Sequence, residues 1–324
     1  MENLLDRPLV LNSNHVAKSG SSFLQANTVE IELDEIRDKH IIPVFLKDNE
    51  PAISQVEFVE AVSEALNDAL SLDNRFDLAV RTSHPIKGRI YEARQKKASE
   101  LLPGEKTIYY ERMAFILTVP SMTKEINGQL LQLTVGGVKA YNLDNMNSNK
   151  GGYEHFKIFI GFKNTVCTNL CVSTDGICLD LKVKSLQELY ARAYELFCSF
   201  QPEIQINNLS QLPEYELSEA QFAKLLGKAR LYQYLPKDEK AQIPELLISD
   251  TQISRIAEAY YTDDYFSRHK SGSIDLWRVY NLFTGAVKSS YIDKFLEREL
   301  NAYEFALQLQ KALEGPPEEF WYLN

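Results

Sequence analysis

Long apolar runs are missing from this sequence. No stretch approaches the roughly 18 consecutive apolar residues of a membrane span, so no membrane partner is expected. The first residues, Met1-Glu-Asn-Leu-Leu-Asp-Arg7, lack a basic start followed by an apolar run. A secretory signal is therefore not expected, and the expected compartment is the cytoplasm. Cysteine is scarce: Cys167, Cys171, Cys178 and Cys198 are the only four in 324 residues. That is too few for a disulfide scaffold in a chain of this length, and reduced thiols are expected. A glycine-rich phosphate loop, a dinucleotide fingerprint, a zincin motif and a nucleophile elbow are all lacking. Without them no catalytic residue, no metal and no cofactor is expected, and the chain does not read as an enzyme.

What is present is enough apolar material for a sizeable core. Hydrophobic residues make up 44% and charged residues 25%, which suits a folded globular protein. The net charge of −10 hides an uneven distribution. Residues 1–78 balance to −9, residues 79–171 to +6 and residues 172–324 to −7. A basic middle thus lies between two acidic ends.

Residues 1–27 are rich in Asn, Ser and Gly without a sustained period, and are expected to be a flexible N-terminal tail. Residues 41–45, interrupted by Pro43, suggest a short strand or extended arm. Ser54 and Glu57 form a capping-box pattern ahead of Phe58, Val59, Val62, Leu66 and Leu70, which recur at helical spacing. Strand-like segments follow at 76–81, 108–119, 131–135, 156–162 and 177–183, with alternating apolar residues. Asn127-Gly128 is a hairpin signal, Asp175-Gly176 a turn, and Gly136-Gly137 a bulge or close backbone approach. The connections are too short for helical crossovers, so pairing should be mostly antiparallel. Capping boxes at Ser185/Glu188 and Ser218/Gln221 then open a helical region, with further helices expected at about 250–261, 274–287 and 290–313. Strands first and helices later predict an α+β fold. Its expected divisions are an α+β sheet domain over 28–200 and a helical region over 201–324 that packs on the same core or stands apart.

Two groups of residues attract functional readings. The first is the basic stretch: Arg81, Lys87, Arg89, Lys96, Lys97, Lys106, Tyr109, Tyr110 and Arg112. Cations interleaved with aromatics suit a phosphate backbone and stacked bases. The competing reading is a set of charges on solvated faces, with the tyrosines in a core. The second group lies in the helix opening at Trp277, where Arg278, Asn281 and Lys288 fall along one face with Thr284 between them. A core-facing helix with capping polar groups would look the same. Two further sets suggest structure more readily than chemistry. Cys167, Cys171 and Cys178 lack paired metal-ligand spacing, and His155 is the nearest imidazole that could activate Cys167. Asp263-Asp264 read as acids at a helix end.

Several stretches together resemble one bacterial family. These are Lys39-His-Ile-Ile-Pro-Val-Phe, Ser83-His-Pro-Ile-Lys-Gly-Arg-Ile, Lys106-Thr-Ile-Tyr-Tyr-Glu-Arg-Met-Ala-Phe, Thr134-Val-Gly-Gly-Val-Lys-Ala-Tyr-Asn, Val166-Cys-Thr-Asn-Leu-Cys and Asn281-Leu-Phe-Thr-Gly-Ala. The family is the one called domain of unknown function 3871, and the resemblance runs from about residue 30 to the C-terminal Trp321-Tyr-Leu-Asn. Cys167-Thr-Asn169 and the Asn281/Thr284 helix also resemble, over a shorter span, the phage- and plasmid-like domain of unknown function 932. That second resemblance implies carriage on mobile elements and work near DNA. The family motifs together point to Cys167, Asn169, Arg278, Asn281, Thr284 and Lys288 as a polar cluster. Neither family brings catalytic residues. The leading expectation is a non-enzymatic nucleic-acid-binding protein of single-strand binding or annealing type, with single-stranded or duplex DNA as partner. The alternative is a protein-interaction module whose acidic surface blocks a host or phage protein.

Overall fold

Period-two alternation in the middle of the chain builds the frame of the molecule. The computed structural model describes residues 11–12, 22–26, 28–39, 53–71, 76–83, 85–89, 93, 95–110, 112–141 and 153–324; residues 11–12, 39, 85–89, 98, 103 and 106–110 are described by backbone alone. The tail expected at 1–27 lies mostly, and the extended piece expected at 41–45 wholly, outside the described residues.

In chain order the first elements are β1 (Leu11–Asn12), β2 (Val29–Glu30), α1 (Leu33–Lys39), α2 (Gln55–Leu70), β3 (Phe76–Thr82) and β4 (Pro85–Arg89). The strands β5 (Lys106–Tyr110), β6 (Arg112–Ile126), β7 (Gln129–Ala140), β8 (Glu154–Asn164) and β9 (Leu170–Val183) complete the β-rich part. The main sheet runs β1-β3-β6-β7-β8-β9, with β2 also on β3. Every pairing in it is antiparallel except the two-residue contact of β1 with β3. The fold is thus α+β, with a mostly antiparallel sheet followed by helices.

Turn chemistry sets the registers. Asn127 and Gly128 take φ of 49° and 73°, as a two-residue hairpin between right-twisted strands requires. The strand expected over 108–119 is two strands. β6 joins the main sheet, whereas β5 folds back on β4 as a separate two-stranded ribbon. Asp175-Gly176 is not a turn between strands. It lies inside β9, where the register against β8 shifts between Phe159 and Gly161. A Cβ on Gly176 would come within 2.2 Å of the Ile160 carbonyl oxygen, so the glycine permits the irregularity.

The sheet is covered on both faces. On one, Gly137 of β7 lets α2 approach: a Cβ there would meet the Phe58 ring at 2.4 Å. Phe58 packs edge-on to Phe115 and tilted against Phe156, and Phe58, Val62 and Leu66 are fully buried. Each such side chain contributes about 1.5–3 kcal/mol. Glu57 N–H donates to Ser54 Oγ and Ser54 N–H to Glu57 Oε2, closing the expected capping box. Beneath the start of α2, Lys139 and Glu154 form a buried ion pair at 2.7 Å, and the Ile53 N–H donates to the second Glu154 oxygen.

The helical part comprises α3 (Leu186–Ser199), α4 (Pro202–Gln211), β10 (Glu216–Leu217), α5 (Glu219–Tyr232), α6 (Lys237–Lys240), α7 (Asp250–Thr262), β11 (Ile274–Asp275), α8 (Leu276–Val287) and α9 (Phe295–Glu314). The Ser218/Gln221 box forms as expected. At α3 only half of it does: Ser185 Oγ accepts from Glu188 N–H, but Glu188 turns back to the Lys184 N–H. Neighbouring residues on a strand point to opposite faces. Ile158 pairs with Gly137 on the α2 side, so Lys157 points to the other, where its Nζ reaches Glu297 of α9 at 2.7 Å. Buried apolar residues from Phe23 to Leu323 form one contiguous core, with α8 between α7 and α9. No helix among the described residues is long and apolar enough to cross a membrane.

Candidate functional site

The basic stretch, contiguous in sequence, is dispersed in space. Arg81 is held along β3: its Nε donates to Thr28 Oγ1, one terminal nitrogen to the Thr28 carbonyl, and the other to Glu30 at 3.3 Å. Burial lowers its pKa and Glu30 opposes that shift. Arg112 opens β6 and pairs with Asp293 at 3.4 Å. Lys96 is paired with Glu105. Lys97 is exposed in the connection between β4 and β5. The remaining five residues lie on the ribbon. Its register sets Pro85 opposite Tyr110, Ile86 opposite Tyr109, Lys87 opposite Ile108 and Arg89 opposite Lys106. Opposed residues share a face and neighbours alternate. Lys87, Arg89, Lys106 and Tyr110 therefore occupy one set of positions, and Tyr109 the other. Arg94 lies outside the described residues.

The second group converges, although more than a hundred residues separate its halves. The turn from β8 to β9 is tight: Asn164 Oδ1 accepts from Val166 N–H, and Thr168 sits at φ 60°. This turn presents Cys167, Thr168 and Asn169 to α8. Asn281 Nδ2 donates to the Trp277 carbonyl at 2.9 Å, which fixes its amide orientation. Its Oδ1 then receives Asn169 Nδ2 at 3.2 Å and the Cys167 thiol at 3.9 Å, while the Asn281 carbonyl takes Asn169 Nδ2 at 2.9 Å. Lys288, at the C-cap of α8, donates to the Cys167 carbonyl and, at 3.0 Å, to Thr168 Oγ1. Thr284 is buried one turn earlier and donates to the Tyr280 carbonyl within its own helix. Arg278 does not join them. It donates from Nε to its N-cap Asp275 and from a terminal nitrogen to the carbonyls of Tyr265 and Ser267. The face predicted by spacing is split because an N-cap carboxylate three residues upstream captures the guanidinium.

A cleft of about 270 Å³ opens over this cluster, with Cys167, Asn169, Asn281 and Lys288 in its walls. Arg255 of α7 and Asp263 at its C-cap line it too. Asp263 Oδ1 accepts from the N–H groups of Tyr265 and Phe266. Gly285 completes the wall beside Asn169: a Cβ there would stand 3.8 Å from the amide nitrogen and oxygen. Asp263-Asp264 reads from the sequence only as a solvated helix end, Gly285 only as part of a family motif, and no sequence signal marks Arg255.

Burial dominates the electrostatics. It pushes the Cys167 thiol up to about 11 against the opposing pull of the Asn169 N–H and Lys288, so the sulfur is a thiol and not a thiolate at neutral pH. His155 cannot act as its base, since it sits at the far end of β8 paired with Asp180. Burial lowers the Lys288 pKa, opposed by Cys167, Glu299 and Asp263. Glu299 of α9 is fully buried below this level, with neither carboxyl oxygen hydrogen-bonded. Burial holds its pKa well above the carboxylate range, with Lys288 as the weaker opposing influence. The four cysteines are free, and among the described residues no group of His, Cys, Asp and Glu side chains could hold a metal ion. The arrangement is suited to binding: fixed donors and acceptors around a small concave space.

No curated protein and no solved structure matches the chain. A family model does, over residues 5–323, and it spans both the ribbon and the cleft. The chain belongs to the family described as "Domain of unknown function, B. Theta Gene description (DUF3871)".

Proposed function

We propose that the protein is a non-enzymatic, nucleic-acid-associated factor that engages single strands through the β4–β5 ribbon. One observation carries this reading: the ribbon register aligns Lys87, Arg89 and Lys106 with Tyr110 in one alternating set. Cations along an extended backbone meet successive phosphates, and an aromatic among them offers a base a stacking surface. The shorter resemblance to a phage- and plasmid-like family supports the same reading and its mobile-element setting. Arg81, Lys96 and Arg112 already face carboxylates, so the interface is smaller than the sequence suggests.

The test is a titration of short fluorescent single-stranded and duplex DNA. Three phosphate contacts give a log–log salt slope of about −2, or roughly a 20-fold loss of affinity between about 50 and 200 mM salt. Lys87→Ala with Arg89→Ala makes the slope shallower by about 1.4 units. Binding that ignores both salt and the double substitution overturns the reading. A partner protein then stands in front. The acidic first turn of α1, with Asp34 and Glu35, favours that alternative because α1 lies beside β5.

A further inference from the structure

The hydrogen-bond chain at the cleft runs in one direction and ends open. The Trp277 carbonyl takes the Asn281 amide nitrogen, so Asn281 presents its oxygen to Asn169. Asn169 must then answer with its own nitrogen, which the Asn281 carbonyl also accepts. Neither amide can flip without setting donor against donor or acceptor against acceptor. The Asn169 Oδ1 is left over. It is buried, its residue is part of the cleft wall, and no hydrogen bond reaches it. A buried acceptor without a donor costs free energy, so a partner that donates is what the position calls for.

Two further features define that partner. Gly285 stands in the middle of a helix at no special φ, where glycine is the less stable choice. Its missing side chain keeps the space beside the Asn169 amide open. Arg255 is exposed at the same cleft and forms no ion pair with any described residue. Asp263 and Lys288 line the same cleft and interact electrostatically with each other. A volume of about 270 Å³ falls just below the usual range for drug-sized ligands and suits a small metabolite.

We infer that the cleft between the β8–β9 turn, α7 and α8 binds a small organic anion carrying an O–H or N–H donor, the donor bonding Asn169 Oδ1 and the anionic group meeting Arg255. This site is separate from the ribbon, and its failure leaves the nucleic-acid reading untouched. The anionic group is a carboxylate or a phosphate ester, and the same experiment separates the two.

The test is calorimetric titration and thermal shift with matched probes. L-malate is compared with succinate, and glycerol 3-phosphate with propyl phosphate; each pair differs in hydroxyl donors. The hydroxylated member of one pair binds, and its partner binds at least about tenfold more weakly because the buried acceptor is then covered and unpaired. Arg255→Ala, a surface change, weakens binding by about tenfold. Gly285→Val closes the approach to Asn169 and abolishes binding while the thermal transition is retained. Should Gly285→Val fail to fold, the Arg255 variant and the matched pairs still decide. No saturable binding of either hydroxylated probe at millimolar concentration overturns the inference. So does equal binding of both members of a pair, or binding unaltered by Arg255→Ala.

Discussion

The basic stretch and the cleft cluster are opposites in how sequence maps to space. Arg81 to Arg112 are neighbours in the chain, yet the fold sends Arg81 to Glu30, Lys96 to Glu105 and Arg112 to Asp293. Cys167 and Asn169 are far in sequence from Asn281 and Lys288, yet they share hydrogen bonds. The difference is one of desolvation. Like charges that keep some contact with water gain by separating and finding carboxylates, and little holds them together. Buried polar groups lose water and must find one another, so their positions are tightly determined.

The largest effect that probes this contrast comes from comparing Lys288→Ala with Lys97→Ala. Removing the buried ammonium takes a charged donor from the Cys167 carbonyl and from the Thr168 hydroxyl, which are also hydrogen-bonded to each other at 2.6 Å. Lys288→Ala is expected to cost about 2–4 kcal/mol, and Lys97→Ala, at an exposed position, to stay within about 0.5 kcal/mol. Urea denaturation midpoints measure both, and equal costs would break the comparison.

Glu299 sharpens it through pH. Its folded pKa lies well above its ordinary value of 4.5. Below that value both states hold the proton and nothing changes. Above it the unfolded chain releases the proton while the folded one keeps it, so stability falls as pH rises towards the folded pKa, by about 1.4 kcal/mol per pH unit. Glu299→Gln has no proton to release. Its stability advantage over the natural chain should therefore grow between about pH 5 and pH 6, by about that amount. A constant difference by denaturation at the two pH values would show that the site does not hold a neutral acid.

The smallest effect concerns Gly285. An added methyl makes an ordinary contact at 3.8 Å and improves the helix. Gly285→Ala should stabilise the protein by about 0.5–1 kcal/mol, seen as a higher thermal midpoint. A destabilised variant would mean that the space beside Asn169 is already filled.

Much of the fold was legible in advance because its signals are local. Ser54 with Glu57 and Ser218 with Gln221 cap helices through atoms three residues apart. Asn127-Gly128 turns a hairpin through its own dihedral angles. The Asp175-Gly176 reading failed because a glycine serves a turn and a register shift equally well, and only the Ile160 carbonyl across the strand pair distinguishes them. Half of the site was legible in the same sense. Asn281 and Lys288 stood on one helix face, but Arg278 left it for Asp275, an N-cap whose role depended on where the helix began. Arg255 carried no signal, Asp263 read only as a helix-end acid and Gly285 only as part of a family motif, since nothing along the chain ties α7 to the β8–β9 turn.

The sequence by itself determined the α+β order, the alternating strands, the caps and the segregation of charge, because each depends on residues within a few positions of one another. Only the tertiary structure decided which carboxylates Arg81, Lys96 and Arg112 meet, which amide oxygen is left without a donor and which glycine borders a cleft. Those properties belong to pairs of residues brought together by burying the core, and a buried polar group is satisfied or stranded only with respect to neighbours that the chain does not place beside it.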